Sequence, residues 1–324
     1  MKKIARFLTL ALAMSLMFAF SAQAEQPAIK IGIIQLVQHP ALDASCQGFL
    51  DALKDGGYVD GENIAVDFQN GQGDQSNLAT IADRFVSNQS DLILAIATPA
   101  ALAVAGKTTD IPILATAITD FVEARLVESN EVPGTNVSGT TDMAAIDDQI
   151  GLIVKLVPEA QTIGVMYNSG EVNSVVQAEL AKASIEARGL TYVEVTVTNS
   201  NEVQQGAERL MKECDAVYLP TDNVLASSMP IVYGVSVEAK KPVICGESGM
   251  VSGGGLATIG INYYNLGYQT GEMAIRLFED ETLDVSAMPI ESQTEYDYSI
   301  NATVAAEIGL TIPDDLVEFT FEME

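Results

Sequence analysis

Polar side chains stand directly after each run of buried-strand character, and their types decide what chemistry is open to them. Along the chain they are Gln35 to Asp43, Thr98, Thr119-Asp120, Asn168 to Ser174 with Glu171 among them, Thr221-Asp222-Asn223 and Gly246-Glu247-Ser248. Hydroxyls, amides and carboxylates in this mixture exchange hydrogen bonds but do not pair a nucleophile with a base. They suit the holding of a small zwitterion rather than bond making. Asp120, Glu171, Asp222 and Glu247 are the candidates to take an ammonium through charge-assisted hydrogen bonds, Asp222 first and Glu247 second. Thr98 precedes Pro99 and an alanine-rich stretch, and Asn173-Ser174 precede Val175. Both places open helices whose first free N–H groups favour a carboxylate. The competing reading for any one of these residues is plain helix capping; their shared placement at successive strand ends is the stronger signal.

His39 is the only histidine. With Asp43 four residues later it suggests a metal or acid–base pair, but Pro40 intervenes and no further imidazole exists to complete a metal ligand set. His39 is expected to line or gate a pocket mouth. No metal and no cofactor are expected: Gly71-Gln72-Gly73 and Gly253-Gly254-Gly255 lack the strand–turn–helix context and the lysine of a phosphate loop, and read as turns. A hydrolase elbow of the G-x-S-x-G kind is also missing at Gly246-Glu247-Ser248-Gly249.

The elements that position these groups follow from periodicity. Ile31–Leu36 reads as a buried strand, and Ala41–Asp55 as a helix with Leu42, Cys46, Phe49, Leu50 and Leu53 on one stripe, stopped by Gly56-Gly57. Ile64–Phe68 is the next strand. The same order recurs with strand Ile163–Tyr167, helix Val175–Ala187, stop Gly189 and strand Tyr192–Val197. Gly32 and Gly164 lie 132 residues apart, and so do Gly57 and Gly189. Alternating strands and helices in two similar halves predict an α/β protein with parallel sheets covered on both faces. Ligands of such sheets bind at the carboxyl ends of the strands, where the polar groups fall.

The remaining composition narrows the setting. The chain has 324 residues, 44 acidic and 16 basic, for a formal charge of −28, which excludes gripping nucleic acid or an anionic membrane surface. Residues 1–24 read as a secretory signal peptide: Lys2, Lys3 and Arg6, an apolar run from Phe7 to Phe20, then Ala22-Gln23-Ala24. That run is too short to span a bilayer. Its removal takes three basic residues and no acid, so the formal charge becomes −31. No cysteine precedes Cys46, which leaves no lipidation site near the cleavage point. Cys46, Cys214 and Cys245 form no disulfide framework, and buried free thiols are expected.

At this point the residues resemble a known family, the ABC-transporter substrate-binding proteins of the tryptophan/tyrosine type. The matching stretches include His39-Pro40-Ala41-Leu42-Asp43, Gly48-Phe49, Ala97-Thr98-Pro99-Ala100, Ile118-Thr119-Asp120, Glu171-Val172-Asn173-Ser174, Pro220-Thr221-Asp222-Asn223 and Gly267-Tyr268-Gln269-Thr270-Gly271. They run in order over nearly all of the chain after residue 24. The resemblance implies the type I periplasmic-binding fold, two Rossmann-like lobes joined by a three-stranded hinge, with crossings near Gly139, Ile261 and Ala287. The first lobe would hold 28–139 and 262–286, the second 140–261 and 287–324. It implies a ligand site of Gln35, His39, Thr98, Thr119 and Asp120 from the first lobe. Asn168, Glu171, Ser174, Thr221, Asp222 and Glu247 would come from the second, with Asn262 at the hinge. The implied ligand is an amino acid, aromatic in the family, delivered by a periplasmic monomer to an inner-membrane permease with its ATPase. Phe121, where related sequences often have proline, is expected to alter the pocket rim. A sensory binding protein that signals to a membrane receptor would have the same pocket, and an α/β enzyme is the third reading.

Overall fold

In a computed structural model, which describes residues 28–323, the chain forms two sheets. The expected signal peptide lies outside the described residues. The first half runs β1 (Ile29–Gln35), α1 (Pro40–Asp55), β2 (Ile64–Asn70), α2 (Gln75–Ser87), β3 (Leu92–Ile96), α3 (Thr98–Ala105), β4 (Ile113–Ile118) and β5 (Val137–Thr141). With β11 (Glu291–Ser292) these strands order as β11-β5-β4-β3-β1-β2, every pair parallel. β3 and β4 are buried along their whole length, as central strands with helices on both faces must be.

The second half runs α4 (Ile146–Leu156), β6 (Thr162–Asn168), α5 (Val172–Ala187), β7 (Thr191–Val197), α6 (Val203–Glu213), β8 (Ala216–Leu219), α7 (Asn223–Ser227), α8 (Met229–Ala239), β9 (Val243–Cys245), α9 (Ser248–Ser252) and β10 (Ala257–Gly260). After α10 (Tyr263–Glu279) and β11 in the first lobe, the chain returns as β12 (Asp297–Asn301), α11 (Ala302–Ile308) and β13 (Thr320–Phe321). The order is β13-β12-β10-β9-β8-β6-β7. This sheet is parallel except that β12 runs antiparallel to β10. The reason is topological: β12 enters from the crossing, at the carboxyl ends of its neighbours, and can only run away from it.

The chain therefore passes between lobes three times. The first passage lies between Thr141 and Ile146; Gly139 is still inside β5, with φ of 149° and Ala115 O where a Cβ would sit. The second is at Ile261–Asn262, between β10 and α10. The third falls between Ser292 and Asp297, later than near Ala287, because Val285 and Met288 pack into the first core and β11 pairs with β5.

α10 is the brace of the first lobe. It packs along α1, and the contact is so close that a Cβ on Gly48 would lie 2.0 Å from Tyr264 O and one on Gly267 1.9 Å from Ser45 O. Two sequence features thus share one cause, since both glycines sit where helix backbones touch. All three cysteines are buried and free, as expected from their scatter. Phe121 does not reach a pocket rim; it is buried in the first core. Among the described residues no helix is long and apolar enough to cross a membrane.

Candidate functional site

Where the carboxyl ends of the two sheets face each other, residues of both lobes enclose a narrow cavity of about 10 Å³, room for about one water. His39, Leu42, Ala117 and Thr119 line it from the first lobe, and Asn173, Thr221, Asp222, Asn223, Ala226 and Glu247 from the second. Asp142 and Tyr263 complete it from the first and second passages. Three lining side chains are carboxylic acids and none is Lys or Arg.

Local sequence explains each placement. His39 is the N-cap of α1, held extended ahead of Pro40 at the first helical turn, so the ring leaves the end of β1 toward the cavity. Beside it, Ala97 and Ala117 adopt φ of 82° and 57°, unusual for residues with a Cβ. They end β3 and break the register of β4, turning Thr98 and Thr119 out of the sheet. Asp222 is the N-cap of α7: Oδ1 accepts from Leu225 N at 2.9 Å and Oδ2 from Asn168 N at 2.6 Å. Glu247 caps α9, with Oε1 accepting from Met250 N at 2.7 Å and Oε2 from Gly249 N.

Capping and cavity lining are therefore not alternatives for Asp222 and Glu247. Each oxygen that accepts one backbone N–H has a second lone pair for a ligand donor. Burial dominates their electrostatics. It pushes Glu247 up to about 7, against the pull of its two backbone donors and aided by the charge of Asp142. Burial and the neighbouring charge of Glu171 push Asp222 upward as well. Asp142 is raised by burial despite accepting from Tyr263 Oη at 2.6 Å and Thr119 Oγ1 at 3.1 Å. Several acids in so small a space have no internal cation to offset them.

Hydrogen bonds cross between the lobes on the cavity walls. His39 Nε2 lies 3.2 Å from Asn223 Oδ1, and Gln177 Nε2 donates to Thr119 Oγ1 at 3.3 Å. Glu171 gathers the amides of Asn168 at 3.0 Å, Asn173 at 3.3 Å and Asn223 at 2.5 Å, so it braces the wall without lining the cavity. Ser174 is buried in the same network, taking Asn173 Nδ2. Because α5 begins at Val172, Asn173 and Ser174 lie inside its first turn and Glu171 is the N-cap.

Of the residues expected at the site, His39, Thr119, Thr221, Asp222 and Glu247 line the cavity. Gln35 and Thr98 are buried at the ends of β1 and β3, each with one side-chain oxygen lacking a partner, while Gln35 Nε2 holds Asp43 at 2.7 Å. Asp120 and Asn262 are not at the cavity. Asp120 caps a turn through Val122 N and Glu123 N, both at 2.9 Å. Asn262 is exposed and caps α10 through Asn265 N at 3.0 Å. For these two, helix-end chemistry accounts for the side chain. Asp142, Tyr263 and Gln177 were not foreseen. Asp142 follows directly on β5, a signal of the kind used elsewhere, whereas Tyr263 and Gln177 sit within helices and reach the site only because the lobes meet.

Residues 30–324 match the family described as ABC transporter substrate binding protein. The chain is 47% identical over 271 residues to a tyrosine-binding protein of Clostridioides difficile strain R20291, covering 84% of this chain and 78% of that one. An ABC domain from Streptococcus pneumonia in complex with L-Trp is 36% identical and superposes with a TM-score of 0.87, over 92% of this chain and all of that one. The ligand-free, open structure of a substrate-binding protein with adhesive properties from Clostridium difficile is 47% identical but superposes at 0.70, over the same 92% of this chain and 100% of that one.

Proposed function

Because the chain belongs to the ABC transporter substrate-binding proteins, with their two-lobed type I periplasmic-binding fold, we propose that it is the extracytoplasmic binding component of an importer for an aromatic amino acid, tyrosine foremost. The observation that carries this reading is the buried cavity between the lobes, lined by Asp142, Asp222 and Glu247 and by no Lys or Arg. A cationic ammonium relieves the mutual repulsion of those acids, and the apolar Leu42, Ala117 and Ala226 offer a wall for a side chain once the lobes part to admit it.

Closure of the lobes around the ligand is the working motion. Its support is the superposition: the arrangement is nearer to the L-Trp complex than to the open structure, although the open protein is the more similar in sequence. The interlobe bonds of His39 and Gln177 fit the same reading, since parting the lobes would break them. In the closed form both lobes would present one continuous face to a permease and its ATPase, with the protein acting as a periplasmic monomer and performing no catalysis.

Thermal denaturation tests the reading. L-Tyrosine at about 100 times its Kd raises stability by roughly 2.7 kcal/mol, while leucine or a sugar at the same concentration leaves the melt unchanged. Stabilisation by leucine or a sugar, with none by aromatic amino acids, would overturn it.

The raised acids also set two opposed pH trends. Without ligand, the folded state keeps protons on Asp142, Asp222 and Glu247 that the unfolded chain has lost above the ordinary carboxylate range. Stability from these groups is therefore highest at low pH and declines as pH rises from about 4 to about 7. An ammonium ligand needs the ionised acids, so binding expels protons and affinity climbs with pH through about 7. The slope is at most about tenfold per pH unit for each proton released. Calorimetry in buffers of different ionisation enthalpy counts those protons; a pH-independent affinity between 5 and 8, as an approximate range, contradicts the assignment.

A further inference from the structure

His39 is the only histidine of the chain and has one ring nitrogen, Nδ1, buried without a partner. The groups around its other nitrogen fix its tautomer. Asn223 Nδ2 donates to Glu171 Oε2 at 2.5 Å, which turns the amide oxygen Oδ1 toward His39. Nε2, 3.2 Å from that oxygen, therefore holds the proton and donates. Burial disfavours a second proton on the ring, outweighing Asn223 and the charge of Asp43. Nδ1 is left as a bare acceptor on a residue that lines the cavity.

Beside the unmet hydroxyls of Ser45, Thr98 and Thr221, which can donate or accept, two more unmet atoms are pure acceptors. Gln35 Oε1 and Asn173 Oδ1 are buried acceptors without donors. A site whose buried acceptors are unmatched loses free energy until a ligand brings donors. An ammonium meets the carboxylates, of which Asp222 and Glu247 belong to the second lobe, whereas His39 enters from the first. A second donor is then called for on the first-lobe side.

We propose that His39 Nδ1 accepts a hydrogen bond from a donor on the aromatic ring of the ligand, phenolic O–H or indole N–H, and thereby selects tyrosine and tryptophan over phenylalanine. The assignment rests on the amino-acid reading given above and adds the residue that reads the ring. A site that hydrogen-bonds a substrate hydroxyl rejects the analogue lacking it far more strongly than an apolar pocket does.

Because the chain has a single histidine, imidazole ¹⁵N signals of the untagged protein report this residue alone. Saturating L-tyrosine shifts Nδ1 in the direction of an accepted hydrogen bond, and saturating L-phenylalanine leaves it in place. In parallel calorimetry the wild-type protein prefers tyrosine to phenylalanine by about tenfold or more, and His39→Leu, which also loses the interlobe bond to Asn223 and so weakens both ligands, removes that preference by weakening tyrosine more than phenylalanine. An equal Nδ1 shift with phenylalanine, or a preference that survives in the variant, overturns the role of His39 while leaving the amino-acid reading intact. Failure of the wild-type protein to bind either amino acid overturns that reading and this assignment with it. Should His39→Leu not fold, the spectra of the wild-type protein decide by themselves.

Discussion

Asp222→Asn weakens the binding of an aromatic amino acid by about 2–5 kcal/mol, roughly 30-fold to several thousand-fold, the range found when one partner of a buried charge pair is removed. Asparagine is as good an N-cap as aspartate, so Leu225 N keeps its acceptor. What is lost is the charge and the oxygen that accepts from Asn168 N in the wild-type protein. Stability of the ligand-free protein falls by only about 1–2 kcal/mol, the range for an orphaned buried donor, and the loss is softened because a carboxyl raised by burial and by Glu171 is no longer buried. The remaining acids, Asp142 and Glu247, still face the cavity and hold the effect short of abolition. An affinity within threefold of wild type, with an altered melt, would reduce Asp222 to a helix cap.

The second large effect is on stability. Gly48→Ala and Gly267→Ala each cost about 3 kcal/mol or more, at the upper end of the range for overpacking. Helix propensity alone favours alanine by about 1 kcal/mol, so the expected sign is the reverse of the usual one. The obstacle is backbone: Tyr264 O stands 2.0 Å from the Cβ of one and Ser45 O 1.9 Å from that of the other. Neither helix can yield by rotating a side chain. Forcing α1 from α10 also displaces His39 and Leu42 at one helix start and Tyr263 at the other, so affinity drops along with the urea midpoint. A variant as stable as the parent would show that the two helices do not approach this closely.

Much of the fold was legible because it repeats. The spacing of 132 residues between Gly32 and Gly164 reflects the same βαβ start in both lobes, β1-α1-β2 and β6-α5-β7. What periodicity could not convey was the path between lobes. β12 turns antiparallel and β11 keeps 291–292 in the first sheet, and both depend on where the chain crosses rather than on its apolar pattern. Strand-end logic pointed to Thr119, Thr221, Asp222 and Glu247, which lie beyond β4, β8 and β9 and line the cavity. Asp120 and Asn262 lie away from the cavity, because an acid or amide just before a helical turn is equally a cap, and both cap here. The same logic missed Asp142 because the strand Val137–Thr141 had not been recognised, and Tyr263 because nothing local marks a helix residue whose hydroxyl meets an acid 121 positions away.

The claim that the cavity holds an aromatic amino acid is most directly tested with L-tryptophan itself, since the chain contains no Trp. Excited where tyrosine barely absorbs, the ligand is the only emitter. Enclosed among Leu42, Ala117 and Ala226 its emission shifts to shorter wavelength in a saturable way, and added L-tyrosine reverses the shift. An emission spectrum that does not change with protein, together with a melt that neither tyrosine nor phenylalanine raises, would contradict the account.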